Sequence, residues 1–408
     1  MRKNLMILPQ KSPRKLSGSS RIAIAKAVAF SFLFFALFLS GCSVKPTPDD
    51  RADTIDGNLT HEHTKETGKS TKVSFVAVGD NLIHKQLITG AKIEGKNEYD
   101  FKPFYSEIKS VIEGADIAFI NQETLFAGEK FGYSGYPVFN APTAVGDALI
   151  DTGFDVVNHA SNHTMDRGKN GVLAMVDYWS EQNKTTILGI HKSAEDRAKN
   201  KIVEINDIKI GFLGYTYGLN GFVLPKNMPF LISLIDTKTM QKEIAAIRAE
   251  CDFLIVSMHW GEEYVYKPNK RQKELAAFLA DARVDLVIGH HPHVLQSVEW
   301  IEAKDGNKTL IYYSLGNFIS AQNKAPRMLG GLAYLTIVKN GKNVYIENPK
   351  LLGLITHRDR DSVNFKVYPL SAYSEEISER HFLYGKEKDF TLPSLKKLYT
   401  EIITKEFL

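Results

Sequence analysis

The stretch that decides the fold is Val73-Ser-Phe-Val-Ala-Val78-Gly-Asp80. It is a short apolar run rich in β-branched and aromatic residues, and it ends at a glycine followed by a carboxylate. Such a run, closed by a turn residue, predicts a buried β-strand. The same pattern, in which an apolar strand is followed at once by polar residues, recurs further along the chain. The fold and the candidate site are therefore predicted from one repeated feature.

Strands and helices are predicted to alternate after this first strand. The other predicted strands of this kind are Ile117–Ile120, Val156–Val157, Phe253–Met258 and Leu286–Ile288. The predicted helices are Phe104–Glu113, Val145–Thr152, Val172–Gln182 and Gln272–Ala282. Alternation of this type predicts βαβ units with parallel strands.

Two hairpins interrupt the alternation and add antiparallel strands. Asn206-Asp207 separates Lys201–Ile205 from Ile208–Leu213, and Asn340-Gly341 separates two further strand-like segments. Those segments are Leu332–Val338 and Val344–Ile346, and Leu310–Tyr313 is also strand-like. The mixture predicts an α/β fold in four layers, α/β/β/α, in which a two-sheet β-sandwich is flanked by helices.

The first 41 residues are predicted to be an export signal and not a part of the core. Seven basic residues and no acidic ones occur there, and the apolar run Ala27–Leu39 precedes Leu39-Ser-Gly-Cys42. That last motif resembles a bacterial lipobox, so we expect Cys42 to be lipidated and to hold the protein on the extracytoplasmic face of the cell membrane. The alternative is an uncleaved N-terminal anchor, although the run is shorter than the roughly 20 residues that a membrane span needs.

The remainder of the chain divides by composition. Residues 42–71 are polar and predict a tether, residues 72–360 predict the main domain, and residues 361–408 predict an extension packed on it, with a terminal helix over Leu392–Leu408. Without residues 1–41 the formal charge of +4 becomes about −3, because that segment carries only basic residues. This balance excludes a generally basic nucleic-acid-binding protein. If Cys42 is lipidated, Cys251 is the one remaining cysteine and forms no intrachain disulfide.

Polar side chains follow five of the predicted strands. They are Asp80, Glu123, the stretch 158–163, His259 and the stretch 290–293. The carboxyl ends of strands in α/β sheets face a shared crevice, so we expect these residues to converge. Carboxylate, amide and imidazole ligands together suit zinc, manganese or iron, and two such ions can activate water and hold a phosphoryl group.

Several motifs in this order resemble the CapA/PgsA family. They are Val78-Gly-Asp-Asn81, Asn121-Gln-Glu123, Asn162-His-Thr-Met-Asp166, His259-Trp-Gly-Glu-Glu-Tyr264, Gly289-His-His-Pro-His-Val294 and Tyr313-Ser-Leu-Gly-Asn-Phe318. The family is associated with synthesis and export of poly-γ-glutamate capsule, and its domain is similar to the calcineurin-like metallophosphoesterases. The resemblance implies a metallophosphoesterase-like fold and a site with two divalent metals.

The resemblance also assigns roles to individual positions. The implied metal ligands are Asp80, Glu123, Asn162, His259, His291 and His293, and His163 is the implied general acid. Glu123 stands where those phosphoesterases usually have aspartate, and no clear Asp-x-His occurs at the first motif. Supporting or pocket positions are expected for Asn81, His84, Asn121, His159, Asp166, Trp260, Glu262, Tyr264, His290, Ser314 and Asn317. Among them, Asp166 is expected to cap the following helix, which Gly168 would begin.

Three functions remain open at this stage. The first is a lipoprotein that works with membrane-bound synthase or export subunits on an anionic capsule polymer. The second is a surface metal-dependent phosphoesterase acting on nucleotides, lipids or wall polymers. The third is a binding module for a polymer or partner, without catalysis, on the same fold, since fold alone does not decide among them.

Overall fold

A computed structural model describes residues 70–408. The predicted signal, Cys42 and residues 42–69 of the predicted tether lie outside the described residues. The strands are β1 Thr71–Asn81, β2 Ile117–Asn121, β3 Val156–Asn158, β4 Thr186–Leu188, β5 Lys201–Ile205, β6 Ile208–Thr216, β7 Phe253–His259, β8 Leu286–His290, β9 Val298–Glu302, β10 Lys308–Tyr312, β11 Asn317–Ile319, β12 Leu329–Asn340, β13 Asn343–Arg358 and β14 Phe365–Pro369.

The α-helices lie mostly between these strands. They are α1 Lys85–Ala91, α2 Lys109–Glu113, α3 Ala144–Thr152, α4 Gly168–Ser180, α5 Ala194–Arg197, α6 Thr237–Arg248, α7 Lys270–Asp281, α8 Ala325–Met328, α9 Glu375–Arg380 and α10 Leu392–Ile402. Short 3₁₀ turns occupy Lys102–Tyr105, Glu129–Phe131 and Lys405–Phe407. Within residues 70–408, no helix is both long and apolar enough to cross a membrane.

The strands form two sheets. The eight-stranded sheet has the order β14-β13-β12-β1-β2-β3-β4, and β11 also pairs with β1. In this sheet β1 to β4 are parallel, whereas β12 to β14 are antiparallel to their neighbours. The six-stranded sheet has the order β5-β6-β7-β8-β10-β9, with β6, β7, β8 and β10 parallel. The six-stranded sheet thus has a parallel centre and two antiparallel edges, whereas the eight-stranded sheet is parallel towards its β4 edge and antiparallel towards its β14 edge.

The alternation of side chains along β1 explains the layering. Val73, Phe75 and Ala77 point into the core shared with β7 and β8 of the second sheet, whereas Val76 and Val78 pack with helices α1, α3 and α4. Successive residues of a strand point to opposite faces, so a strand that is apolar at every position must be covered on both sides. A third apolar cluster joins the outer face of the second sheet to α6 and α7. The predicted α/β/β/α sandwich is confirmed.

Some elements differ from the predictions. The predicted helix Phe104–Glu113 is a 3₁₀ turn at Lys102–Tyr105 followed by the short helix α2. Phe104, Ile108 and Ile112 are buried all the same. The helical spacing of these apolar residues therefore predicted which side chains are buried, but they do not lie on one continuous helix. The predicted terminal helix ends at Ile402 and continues as a 3₁₀ turn.

The C-terminal segment contributes to the sandwich directly. Strand β14 pairs antiparallel with β13, and so forms an edge of the eight-stranded sheet. Leu395 of α10 and Phe407 are buried in the same apolar cluster as Phe75. The boundary that the composition places at residue 360 stays a prediction.

Candidate metal centre

The two sheets bring five strand ends to one place. Asp80 is in the last two residues of β1, and Glu123 follows β2 by two residues. Asn162 follows β3, His259 ends β7, and His291 directly follows β8. Parallel strands expose their carboxyl ends on one edge, so residues far apart in sequence meet there. All six side chains that the sequence analysis assigned as ligands, including His293, are buried in this region.

Asp80 holds the first part of the site together. Its Oδ1 accepts a hydrogen bond from Nδ2 of Asn121 at 2.8 Å. Its Oδ2 accepts one from the backbone N–H of His291 at 3.2 Å, and lies 3.1 Å from Nδ1 of His293. Nδ1 of His290 lies 3.6 Å from Oδ1. Asp80 therefore ties the end of β1 to the loop that follows β8.

Glu123 lies between two groups of imidazoles. Its Oε1 is 3.8 Å from Nε2 of His259 and 3.7 Å from Nε2 of His293. Neither carboxylate oxygen of Glu123 has a hydrogen-bond partner among the described residues, although the side chain is buried. A buried carboxylate without partners is costly, so this position fits a bound cation.

Two sets of ligand atoms share Glu123. One set comprises Asp80, Glu123 and His293, and the other comprises Glu123, His259 and His291, with the ligand atoms of each set within 4.8 Å of one another. The Oδ1 atom of Asn162 lies 2.8 Å from Nε2 of His259 and so adjoins the second set. Buried ring nitrogens of His259 and His291 also lack hydrogen-bond partners among residues 70–408. The donor chemistry and the orphaned atoms both fit divalent metal binding.

His163 lies beside these ligands and is held by another residue. Its Nδ1 is 2.8 Å from Oδ2 of Asp166, which also accepts a hydrogen bond from the backbone N–H of Phe139 at 2.7 Å. The expectation that Asp166 caps the next helix is not what the structure shows. Helix α4 does begin at Gly168, but no side chain caps it. The carboxylate of Asp166 contacts the imidazole of His163 instead.

Burial and charge set the protonation of the site. Burial raises the pKa of Glu123 well above its ordinary value; the charge of His293 opposes this, and that of Asp80 adds to it. Burial acts in the same direction on Asp80, but the hydrogen bond and charge of His293 outweigh it, and the pKa of Asp80 is lowered. Burial alone would lower the pKa of His293, yet Glu123 and Asp80 raise it to about 9. Burial lowers the pKa of His291 to about 3 and that of His259 well below its usual value. The neutral imidazoles of His259 and His291 keep the lone pair that a metal requires.

Residues 74–322 match the family described as "Bacterial capsule synthesis protein PGA_cap". The match covers more than half of the 408-residue chain and every strand end of the site. The chain belongs to the PGA_cap family. The CapA/PgsA resemblance found in the motifs is thereby confirmed.

Two relatives carry capsule names. The chain is 36% identical over 204 residues to "PGA biosynthesis protein CapA" of Bacillus subtilis (strain 168), covering 49% of this chain and 52% of that protein. It is 34% identical over 180 residues to "Capsule biosynthesis protein CapA" of Bacillus anthracis, covering 43% and 42% respectively. The chain thus spans about half the length of the relatives that it matches.

Among solved structures, similar chains include phosphoesterases. The NAD nucleotidase NadN of Haemophilus influenzae is 12% identical, with a TM-score of 0.45 over 82% of this chain and 64% of that one. The calcineurin-like phosphoesterase YfkN of Bacillus subtilis is 13% identical, with a TM-score of 0.39 over 81% and 100%. Scores this low carry no argument about what this PGA_cap chain does.

Several residues expected in supporting positions contact the ligands of this PGA_cap site. Oδ1 of Asn317 is 3.0 Å from Nδ1 of His293, and Nδ2 of Asn158 donates to Oδ1 of Asn121 at 2.8 Å. Asn317 and Asp80 both face Nδ1 of His293, so Nε2 is the ring nitrogen on the side of Glu123. Asn317 therefore helps to fix the orientation of the His293 ring.

Other supporting residues act further from the ligands. Oδ1 of Asn81 accepts a hydrogen bond from the hydroxyl of Tyr105 at 2.9 Å, and Nε2 of His159 accepts one from Nε1 of Trp179 at 2.8 Å. Burial lowers the pKa of His159 to about 3, so its ring is a neutral core acceptor. Nδ1 of His84 lies 3.1 Å from the backbone oxygen of Leu82. These contacts stabilise the walls of the site.

The loops after β7 and β10 brace the loop after β8. Nε1 of Trp260 donates to the backbone oxygen of Tyr313 at 2.9 Å. The hydroxyl of Ser314 donates to the backbone oxygen of Val294 at 2.7 Å. His290 is fully buried, stacks on Phe119 with ring centroids 5.9 Å apart, and has no hydrogen-bond partner for either ring nitrogen among residues 70–408. It belongs to neither of the two sets that share Glu123.

The tight packing at Gly289 holds the loop after β8 against the loop after β10. A Cβ at this position would lie 2.0 Å from the backbone oxygen of Tyr313. The residues that follow also have unusual backbones, since His291 has φ of 97° and His293 has φ of 57°. Non-glycine residues seldom adopt positive φ, and such conformations are concentrated at functional sites.

Sequence reasoning missed two side chains at the site and did not assign a third, Glu263, which belongs to a motif that it had noted. Glu263, and not its neighbour Glu262, forms a further set of possible ligands with His291 and His293. Glu262 is exposed and accepts a hydrogen bond from Nδ2 of Asn269. The ring of Tyr217 lies 4.7 Å from that of His291, and Nδ2 of Asn220 lies 3.3 Å from Nδ1 of His163. Tyr217 and Asn220 lie in the loop after β6, which no motif marked.

Tyr264 forms the rim near His293, as expected for a pocket residue. Its ring centroid is 6.0 Å from that of His293, and the guanidinium carbon of Arg327 lies 3.4 Å above it. Burial raises the pKa of the Tyr264 hydroxyl to about 12, so it stays protonated. A cation above the ring face is favourable and keeps Arg327 near the opening of the site.

Proposed function

We propose that this protein takes part in the synthesis or export of a poly-γ-glutamate capsule at the outer face of the cell membrane, using a hydrolase-like site with two divalent metals. Membership of the PGA_cap family and the capsule names of its relatives support the biological role. The buried sets of ligands support the chemical one.

The single observation that carries the proposal is the position of Glu123. It is common to two sets of ligand atoms, and both of its oxygens are buried without a hydrogen-bond partner among the described residues. A bridging carboxylate between two cations has these properties. Asp80 and His293 would complete one site, and Asn162, His259 and His291 the other, with zinc, manganese or iron as the metals that suit this donor set.

When bound, two such metals supply Lewis acidity and an activated water molecule. The chain's own residues would supply the proton and the orientation. Asp166 holds Nδ1 of His163, and the amide of Asn220 is 3.5 Å from Nε2, which is too long for a strong hydrogen bond. A proton on Nε2 of His163 is then available to the leaving group of a cleaved bond.

A second candidate function is a surface phosphoesterase acting on nucleotide, lipid or wall-polymer phosphoesters. The pair of His163 and Asp166 fits it, because an alkoxide leaving group needs a proton when the bond to phosphorus breaks. The same pair would serve the cleavage of an amide in a polyglutamate chain. The two candidates therefore differ in the substrate and not in the machinery.

The location of the protein in the cell and its partners belong to the same proposal. Lipidation at Cys42 would hold the protein on the membrane, next to synthase or export subunits embedded there. The polymer handled would be an anionic chain, and nucleic acid is not among the proposed partners.

The test compares Asp80→Asn with His163→Ala in the purified full-length chain. Asp80→Asn should lower metal affinity about 10-fold or more, by analogy with losses from outer-shell changes. His163→Ala should keep the metal and lose about 10²–10⁴-fold in hydrolysis of either a phosphoester or a γ-glutamyl amide. The substrate that is cleaved distinguishes the two enzymatic candidates. Normal capsule production by both variants would replace the proposal with a binding module that lacks catalysis.

A further inference from the structure

An open cleft of about 620 Å³ lies beside the metal centre. It is formed by the start of α1 and by the loop that precedes Phe139. Its lining is His84, Lys85, Gln86, residues 133–138 and Arg167. None of these residues is among the proposed metal ligands, and the function proposed above does not use the cleft.

The charged residues that line the cleft are all basic. Lys85 is exposed and makes no ion pair or hydrogen bond through its ammonium group within residues 70–408. Arg167 donates from its guanidinium to Ser134 and to the backbone oxygen of Val138, and its Nε is buried without a partner among the described residues. The carboxylate of Glu129 is near Tyr133 but accepts a hydrogen bond from Asn97 and does not line the cleft. An unpaired ammonium and a guanidinium that line the same cleft attract anions.

The cleft is joined to the proposed general acid through one aromatic side chain. The ring of His84 packs edge-on against Phe139 at 5.4 Å, and Phe139 packs edge-on against His163 at 4.7 Å. Arg167 directly follows Asp166, which holds His163. A ligand in the cleft therefore lies one side-chain layer away from the position where a leaving group would take a proton.

The backbone around Lys85 is packed tightly. A Cβ on Gly135 would lie 2.6 Å from the backbone nitrogen of Lys85, so the loop and the start of α1 are in direct contact. The ring of Tyr136 is 77% exposed at the mouth of the cleft. The base of the cleft is thus fixed, while an aromatic face and an ammonium group remain open to a ligand.

We propose that this cleft is a subsite for an anionic group, a carboxylate or a phosphate, on the leaving-group side of the substrate. Lys85 binds the anion, Arg167 shapes the floor of the cleft, and Tyr136 covers the ligand. This inference rests on the proposed function for the direction of the substrate, but the binding of an anion in the cleft does not depend on catalysis.

The test measures equilibrium binding by calorimetry, using the full-length chain purified in detergent. The probes are a linear glutamate oligomer, which carries carboxylates, and glycerol 3-phosphate, which carries a phosphate. Lys85→Gln should weaken binding of the preferred probe by about fivefold to tenfold at low salt, with a smaller effect at high salt. Lys85→Glu should weaken it further. Tighter binding of the oligomer identifies a carboxylate ligand, and tighter binding of glycerol phosphate identifies a phosphate ligand.

Lys92→Gln is the matched control, because Lys92 is exposed just after α1 and does not line the cleft. If Lys85→Gln binds both probes as well as the wild type, or if Lys92→Gln weakens binding equally, the subsite is refuted. Asp80→Asn separates the two proposals. If Asp80→Asn loses its metal and still binds the probe in a way that depends on Lys85, the subsite stands. If the purified wild type contains no metal and binds the probe in the same way, only the proposed function is overturned.

Discussion

Oδ2 of Asp166 lies 2.8 Å from Nδ1 of His163, and both side chains are buried beside the sets of ligands that share Glu123. The same oxygen accepts the backbone N–H of Phe139, while Oδ1 of Asp166 has no partner among the described residues. A carboxylate held in this way fixes which nitrogen of the imidazole faces the substrate. This relationship separates the proton-handling part of the site from the part that would hold metal.

Replacing Asp166 by asparagine should therefore reduce turnover without removing metal. Asp166→Asn removes the carboxylate charge that stabilises a positively charged His163 ring, so it disfavours the form of the ring that can release a proton from Nε2. We expect kcat to fall, by less than the 10²–10⁴-fold loss expected for His163→Ala, with little change in KM. Asp177→Asn, an exposed change on the helix α4 that follows Asp166, is the control for hydrolysis assays and metal analysis. Unchanged kcat in Asp166→Asn would refute the orienting role.

The adjacent carboxylates Glu262 and Glu263 provide a second prediction. Glu263 forms a possible set of ligands with His291 and His293, whereas Glu262 accepts a hydrogen bond from Asn269 away from them. Glu263→Gln should lower metal affinity measurably, and Glu262→Gln should leave it unchanged, because only the first side chain reaches the imidazoles. Competition with a chromogenic chelator measures both. Equal affinities in the two variants would exclude Glu263 from the site.

The choice between these two glutamates also shows what the sequence alone could predict. Strand ends such as Asp80 and His259 were predictable, because short continuous apolar runs mark the buried strands and α/β topology brings their carboxyl ends together. Glu263 could not be chosen over Glu262 in this way. The choice depends on the turn at residues 261–264, where Gly261 has φ of 90° and Tyr264 has φ of 67°.

The role of Asp166 was missed for a related reason. A carboxylate shortly before a helix predicts a cap, and local patterns favour that interpretation. Its actual partners are His163, three residues earlier, and the N–H of Phe139 in a distant loop. Strands β4, β9, β11 and β14 were also missed, since runs of only three to five residues carry little periodic signal.

The motif that resembles a lipobox supports a prediction on the part of the chain outside the described residues. Cys42 follows Leu39-Ser-Gly behind a basic and apolar leader, so a fatty-acid probe should label the wild-type protein in cells. Cys42→Ala should abolish the label, and Cys251→Ala should retain it. Equal labelling of the Cys42 variant would exclude lipidation at that residue.

Buried histidines away from the site should make the fold sensitive to acid. His381 stacks on Phe390 with ring centroids 3.9 Å apart, and burial lowers its pKa to about 2. The unfolded chain binds a proton at this residue below about pH 6.5, whereas the folded protein does not, so stability is lost as the pH falls through that value. We expect up to about 1.4 kcal/mol per pH unit from this residue.

His381→Asn tests this contribution. The variant removes the titrating ring but can still accept the hydrogen bond that the backbone N–H of Leu383 donates to Nδ1. Denaturant unfolding in chelator between pH 7.5 and pH 5.5 should show a shallower loss of stability in His381→Asn than in the wild type. Parallel pH profiles would mean that His381 does not carry the effect.

The contact at Gly289 yields a prediction that links the fold to the site. A methyl group there would lie 2.0 Å from the backbone oxygen of Tyr313, and neither backbone can move freely, because Trp260 also donates its indole N–H to that oxygen. Gly289→Ala should therefore cost about 1–3 kcal/mol of stability, as overpacking does elsewhere. It should also displace His291 and His293, which follow within four residues, and lower metal affinity. Gly218→Ala is the matched control, since a methyl group there meets no atom within 4 Å. Thermal unfolding and metal analysis of the two variants decide the matter, because a stable, fully metallated Gly289→Ala protein would show that this close contact does not position the histidine loop.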